Sequence, residues 1–146
     1  MTVKLDAAQF TEWYGPGSDG SSPTESQWAQ ILSRPAEKPV TLINFFKLRA
    51  MADYPKASNS ATGQEAFASY ASVSVPAMER AGGHFLFVGP FQGNFLGENE
   101  DWDIVAIGAY PDLKSLAALY SDEIYRQAFH HRTAACARQK VMVCGD

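Results

Sequence analysis

The densest run of chemically capable side chains lies near the C-terminus, where Tyr125 precedes His130-His131-Arg132. Capping signals and apolar spacing place this run on a helix from about Glu123 to Ala137. There Ile124, Ala128, His131 and Ala135 share one face, and Tyr125, Phe129, Arg132 and Cys136 share the adjacent one. This reading turns His131 inward and His130 outward, near Arg126 and Gln127. An inward imidazole can serve as a general base near neutral pH, while Arg132 and Tyr125 can hold an anionic substrate. The competing reading is a hydrogen-bonded core histidine. Adjacent histidines diverge by about 100° on a helix, so they cannot form the i, i+4 pair of helical metal sites. No other spacing calls for a metal or haem, and no cofactor is expected.

A second candidate is Asn44, a polar amide among apolar neighbours in Val40–Leu48. Such a group is costly unless paired; it can orient a carbonyl or oxyanion, or satisfy a local backbone group. Lys47 and Arg49 share the opposite face by strand parity. They can bind a carboxylate, or else form a solvated strand end paired with the acidic turn Glu98–Asp101. Tyr70 and Trp102, with Phe45 and Phe46, can line an apolar pocket carrying a few polar anchors. Cys136 lies one helical turn from Arg132, yet no Cys-His-acid set surrounds it. No serine elbow, phosphate loop or dinucleotide glycine motif occurs, so hydrolase, nucleotide and nicotinamide chemistry lack support.

These residues need elements to hold them. Asp6 and Gln9 cap a short helix showing Phe10, Trp13 and Tyr14, and Ser22, Pro23 and Glu25 start a second one showing Trp28, Ile31 and Leu32. A Gly-Pro-Ser segment, Gly15–Pro23, separates the two. Residues 1–38 thus form a helical appendage and 39–146 the body. The body reads as a strand at Val40–Leu48 and a polar loop at Ala50–Ala61. A helix capped by Thr62 and Glu65 follows, with Pro76 kinking it and Gly82-Gly83 ending it. Next come a strand from His84 to Leu96 bulged at Gly89-Pro90, a turn, and a strand at Trp102–Tyr110. A helix capped by Asp112, the histidine helix, and a strand at Lys140–Cys144 complete the chain. The order β-α-β-β-α-β is the ferredoxin-like arrangement, an α+β fold whose antiparallel four-stranded sheet carries helices on one face.

Composition narrows the partners. The chain has 146 residues, 12 basic and 16 acidic for a net charge of −4, and no basic run. That excludes a phosphate-tracking nucleic-acid surface and a polybasic membrane anchor. No stretch approaches the roughly 18–20 apolar residues of a membrane span, and the first residues lack a secretory layout. Cys136 and Cys144 read as free thiols, which makes the cytoplasm the expected location.

Both sheet faces are apolar. Leu42, Phe46 and Leu48 oppose Ile43 and Phe45, and Trp102, Ile104 and Tyr110 oppose Val105 and Ile107. Helices cover one side only, so a symmetric partner sheet is expected on the other. The alternative is that the N-terminal appendage covers that face within one chain.

Several stretches together carry a family resemblance. They are Asn44-Phe45-Phe46-Lys47-Leu48-Arg49, Tyr70 with Pro76 and Gly82-Gly83, and Trp102-Asp103-Ile104-Val105. Tyr110-Pro111 before a helix, and Tyr125 followed by His130-His131-Arg132-Thr133-Ala134, complete the set. In order and spacing they resemble the domain-of-unknown-function family 1330 of the dimeric α+β-barrel superfamily, over roughly Pro39 to the C-terminus. The resemblance implies a homodimer whose two sheets close a barrel, often with a pocket between sheet and helices. It implies no reaction, because that superfamily holds cofactor-free monooxygenases, isomerases, haem enzymes and non-catalytic binders alike. The expected function is binding of, or action upon, a small, partly apolar or carboxylate-bearing molecule; a non-catalytic ligand-binding or dimeric interaction module is the alternative.

Overall fold

The computed structural model describes residues 6–56 and 60–145, so part of the 50–61 loop and the first five residues lie outside the described chain. Within it, α1 (Ala7–Tyr14) and α2 (Glu25–Leu32) precede β1 (Val40–Leu48) and α3 (Gly63–Ala81). Then come β2 (His84–Pro90), β3 (Ile104–Tyr110), α4 (Leu113–Ser121), α5 (Glu123–Ala135) and β4 (Cys136–Gly145). The sheet is antiparallel with order β2-β3-β1-β4. This is the expected α+β, ferredoxin-like architecture, with the second helical region in two pieces. Among the described residues no helix is long and apolar enough to cross a membrane.

The capping signals place most helix starts. Asp6, Thr62 and Asp112 each accept a hydrogen bond from the backbone N–H three residues on, and Glu65 returns the bond to Thr62. Gly82 closes α3 at φ 99°, a left-handed turn that a side chain would resist, and α3 continues unbroken through Pro76. The start of α2 differs from expectation. Two overlapping boxes are written there, and Thr24–Gln27 is the one that closes, at 3.1 and 2.9 Å. Ser22 is left outside the helix with its hydroxyl unpartnered.

Three strand limits also move. Phe91–Leu96 is not strand: Phe91 makes the last rung to Asp103, and Asn94 then straps the chain to Glu100. The apolar Phe95 and Leu96 therefore stand at an exposed loop tip, 104% and 85% accessible. β3 starts at Ile104 because the Asp103 carboxylate takes the Leu48 N–H at 2.7 Å, ending the ladder. β4 starts at Cys136, directly after α5, because pairing with β1 extends as far as Leu48–Cys136 and overrides the helical tendency of Ala137.

Strand register sorts the faces. Val40, Leu42, Asn44 and Phe46 point to the helices, as do Ala106, Gly108 and Tyr110. Trp102 departs from the expected parity, since it precedes the strand. Its ring lies 5.7 Å from Phe45 on the opposite face. The appendage packs on the helix side, where Trp28 stacks on Phe10 at 4.4 Å and meets Tyr120, and Tyr14 meets Phe129. It therefore does not cover the outward sheet face, which presents Ile43, Val105 and Ile107 between Phe87 and Met142.

Candidate functional site

The side chain of Arg132 is the centre of the helix-side chemistry. Asp122 caps α5 by accepting the Tyr125 N–H at 2.9 Å, and α5 packs along α3 with Tyr125, Phe129 and Arg132 turned inward. Arg132 is 5% exposed. Its Nε donates to Gln139 Oε1 at 2.6 Å, Nη1 to the Tyr70 hydroxyl at 3.1 Å, and Nη2 to Asn44 Oδ1 at a long 3.5 Å. The guanidinium carbon lies 4.8 Å from the Phe46 ring centre and 5.4 Å from that of Phe129. Asn44 is fixed by donating to the Ala106 carbonyl at 3.0 Å, which leaves its oxygen for the arginine.

Every one of those partners is electrically neutral. Tyr70 and Tyr125 share a hydrogen bond of 2.6 Å. Burial pushes the Tyr125 phenol well up, helped by Tyr120 and Tyr70, so it supplies no phenolate. Burial works against the Arg132 charge, but Tyr70, Tyr120 and Tyr125, which would ionise beside it before it lost its proton, hold its pKa well above the ordinary value, and the guanidinium stays protonated. Among the described residues no carboxylate pairs with it. An enclosed charge without an opposite charge costs on the order of several kcal/mol.

Two cavities meet at this arginine. The larger, about 820 Å³, is a groove between the appendage and the helix-side surface of β4. Trp28, Tyr120 and Phe129 wall it, and Val141 and Val143 form part of its floor. Arg132 and Arg34 line it, Lys140 borders it while its ammonium pairs with Glu100 on the outward face, and no Asp or Glu among the described residues lines it, although acidic residues outnumber basic ones in the chain. The smaller, about 80 Å³, lies between α3 and the sheet beside Asn44, Tyr70, Tyr125 and Arg132.

The structure thus brings together Arg132, Asn44, Tyr70 and Tyr125 from three elements, and leaves the other candidates elsewhere. His131 does not look into the core: α5 is rotated so that Ile124 is 59% exposed, and His131 Nδ1 meets the Tyr54 hydroxyl of the 50–61 loop at 2.6 Å. Partial burial lowers the His131 pKa, with a smaller contribution from neighbouring His130. Lys47 points outward and pairs with Asp101 at 3.0 Å and Asp103 at 3.5 Å. A register shift between Lys47 and Leu48 breaks the parity that placed Arg49 beside it, and the Arg49 Nε is enclosed without a partner. Trp102 packs on Phe45 beneath the Arg138 guanidinium. Cys136 is raised to about 11 by burial against the smaller opposing influence of Arg132 and Arg49, so its thiol stays protonated. Among the described residues no group of three or more His, Cys, Asp or Glu is placed to hold a metal.

Four residues of this chemistry escape the sequence reading. Gln139 falls just before the expected strand start, Tyr54 sits in a polar loop with no period, and Ser22 and Trp28 read only as cap and core. Only Gln139 leaves a signal: it shares parity with Val141 and Val143, a polar residue continuing an inward apolar row.

Solved structures give the fold relatives. The crystal structure of the methylated RPA0582 protein superimposes with a TM-score of 0.78 at 33% identity, covering 86% of this chain and 93% of that one. The RPA0582 protein of unknown function from Rhodopseudomonas palustris gives a TM-score of 0.77 at 33% identity, covering 86% and 95%. Among curated proteins none matches the chain. Residues 53–146 match a domain of unknown function, and β1, although a central strand, lies outside that span. The chain belongs to the domain-of-unknown-function family 1330.

Proposed function

We propose that this protein is a homodimeric, cytoplasmic module that binds a small organic anion, a carboxylate on an apolar body, in the groove between the appendage and β4. The observation that carries this reading is Arg132: a guanidinium 5% exposed, held by neutral groups alone, in the lining of an aromatic-walled groove. A ligand carboxylate supplies the missing charge through a bidentate pair. The volume suits a small ligand with an apolar body.

Binding is favoured over catalysis by the lining itself. Among the described residues the groove holds no imidazole, carboxylate or thiol, so nothing there moves a proton near neutral pH. His131, the expected base, faces Tyr54 instead. The dimer is supported by the outward face, where Phe87 and Met142 are 50% and 42% exposed and the appendage gives no cover. Free Cys136 and Cys144 support a reducing compartment.

Calorimetric titration with decanoate and with decanol tests the anion reading. Decanoate is expected to bind at least about tenfold more tightly, the contribution of one charge-assisted pair. Equal affinity for the alcohol would reduce the groove to an apolar cleft.

A further inference from the structure

The groove has a second feature that an anion at Arg132 does not use. Of the few buried polar atoms without a partner among the described residues, two belong to the appendage wall: the Trp28 indole Nε1 and the Ser22 hydroxyl. Trp28 is 4% exposed and locked by its stack on Phe10, so its ring cannot turn to find an acceptor. The sheet-side wall carries Arg132 and Gln139; Trp28 and Ser22 belong to this wall, and the N–H and O–H they carry, donors without charge, are enclosed within it rather than open to the groove. Ile31, Leu42, Val141 and Val143 give the groove an apolar stretch of lining, beside the polar Gln27 and Gln30. A buried donor with no acceptor is expensive, and a ligand that brings one recovers that cost on binding.

We infer that the ligand is two-ended: a carboxylate for Arg132, an apolar spacer, and at the far end an uncharged hydrogen-bond acceptor such as a ketone, received by Trp28 Nε1 and the Ser22 hydroxyl. The appendage is then the specificity element of the site, because it supplies the groove wall that reads the distal group. Both donors are shut off from solvent, so the 15–24 segment shifts when the acceptor enters. This inference rests on the anion reading of the same groove.

The test is a panel of straight-chain alkanoates from six to twelve carbons, each paired with its methyl-ketone counterpart, titrated against the full chain. At the matching length the keto acid is expected to bind about tenfold more tightly than its parent. The Trp28→Phe variant keeps the stacked ring and loses the N–H, and is expected to bind both members of that pair equally, at the parent's affinity. A circular-dichroism melt confirms that the variant is folded, and Ser22→Ala, on a surface loop, gives a smaller loss of the same preference. Parents that bind while no ketone exceeds its parent at any length would overturn the two-ended ligand and leave the anion site standing. A ketone preference that survives both Trp28→Phe and Ser22→Ala would overturn the assignment of the donors. Failure of every alkanoate to bind would remove the anion reading and this inference together.

Discussion

Two groups of cations sit on opposite faces of the β1–β4 pair, and the protein treats them in opposite ways. On the outward face, Lys47, Arg138 and Lys140 meet the acidic loop residues. Lys47 pairs with Asp101 and Asp103, Lys140 with Glu100, and Arg138 with the Asp101 carbonyl. Hydrogen bonding to Asp101 raises the Lys47 pKa, and bonding from Lys140 holds the Glu100 carboxyl below its usual range. On the helix side, Arg132 is enclosed by phenols, amides and rings, with no carboxylate among its partners. The outward cations are satisfied in a medium where water would have sufficed. The inward one is unmatched where a match counts most. A charge kept unpaired in the more expensive place is explained by a partner that arrives from outside.

The largest expected effect tests that contrast at Arg132. Arg132→Met keeps length and bulk, removes the charge, and leaves the Tyr70–Tyr125 bond in place. Decanoate affinity is expected to fall on the order of 100-fold. The stability of the ligand-free protein is expected to change by no more than about 1 kcal/mol, because removing an unmatched buried charge offsets the lost hydrogen bonds. A folded variant with parental affinity would show that the arginine is structural, and the contrast between the two faces would lose its meaning. Chemical denaturation and calorimetry on one preparation separate the two outcomes.

A smaller effect is expected at the apolar centre of the outward face. Ile43 lies between Ile107 and Met142 across the sheet. Ile43→Lys places a charge in the proposed partner interface while leaving the helix-side core untouched. Sedimentation is expected to show a micromolar dimer becoming a monomer, with decanoate binding kept within a few fold because the groove opens on the other side. A parent that sediments as a monomer would leave that face to some other partner.

How much of this was open to reading from residues alone depends on how local the cause is. Caps at Asp6, Thr62 and Asp112 and the run Val40–Leu48 are decided within a few residues, and they stand as expected. The choice between Ser22 and Thr24 is also local, but two boxes compete and tertiary docking selects one. The facing of α5 is not local. His131 and Arg132 differ by about 100° of helix rotation, and both faces hold apolar residues. Only packing against α3 decides that Arg132 goes inside. Strand parity fails where a register shift intervenes, as at Lys47–Leu48, and Trp102 escapes it by lying before its strand. The groove is the least legible feature, because Trp28 and Arg132 meet across it from opposite ends of the chain.

The Tyr54–His131 contact yields a pH dependence that belongs to neither cation group and so serves as a control on both. His131 Nδ1 can accept the Tyr54 hydroxyl only when that nitrogen carries no proton. Its pKa is lowered by burial and by His130, so the unfolded chain takes up the proton at higher pH than the folded one does. Stability is therefore full above the unfolded value of about 6.5 and declines as pH falls through the lower folded value. Urea midpoints between pH 7.5 and 5 are expected to decline, and His131→Gln is expected to flatten that decline. Decanoate affinity should not follow this titration, since His131 lines neither cavity. An affinity that tracked it would bring His131 back into the site.

The smallest effect is expected where the ion pairs are most numerous. Lys47→Met removes contacts to both Asp101 and Asp103, yet the Asp101 side chain is 76% exposed and the Lys47 charge lies at the surface. Exposed pairs exchange one favourable environment for another, so the thermal midpoint is expected to move by only about 1 °C, and less in high salt. The same substitution leaves Arg138 on the Asp101 carbonyl and Lys140 on Glu100, contacts that keep the loop in place. A shift several times larger would mean that the acidic loop holds the outward face together as a network. The two faces would then differ in solvent exposure alone, and the unmatched Arg132 would be the weaker part of the argument for a ligand. A shift within the expected range sharpens the contrast, because it shows that pairing on the outward face is nearly free while its absence on the inward face is not.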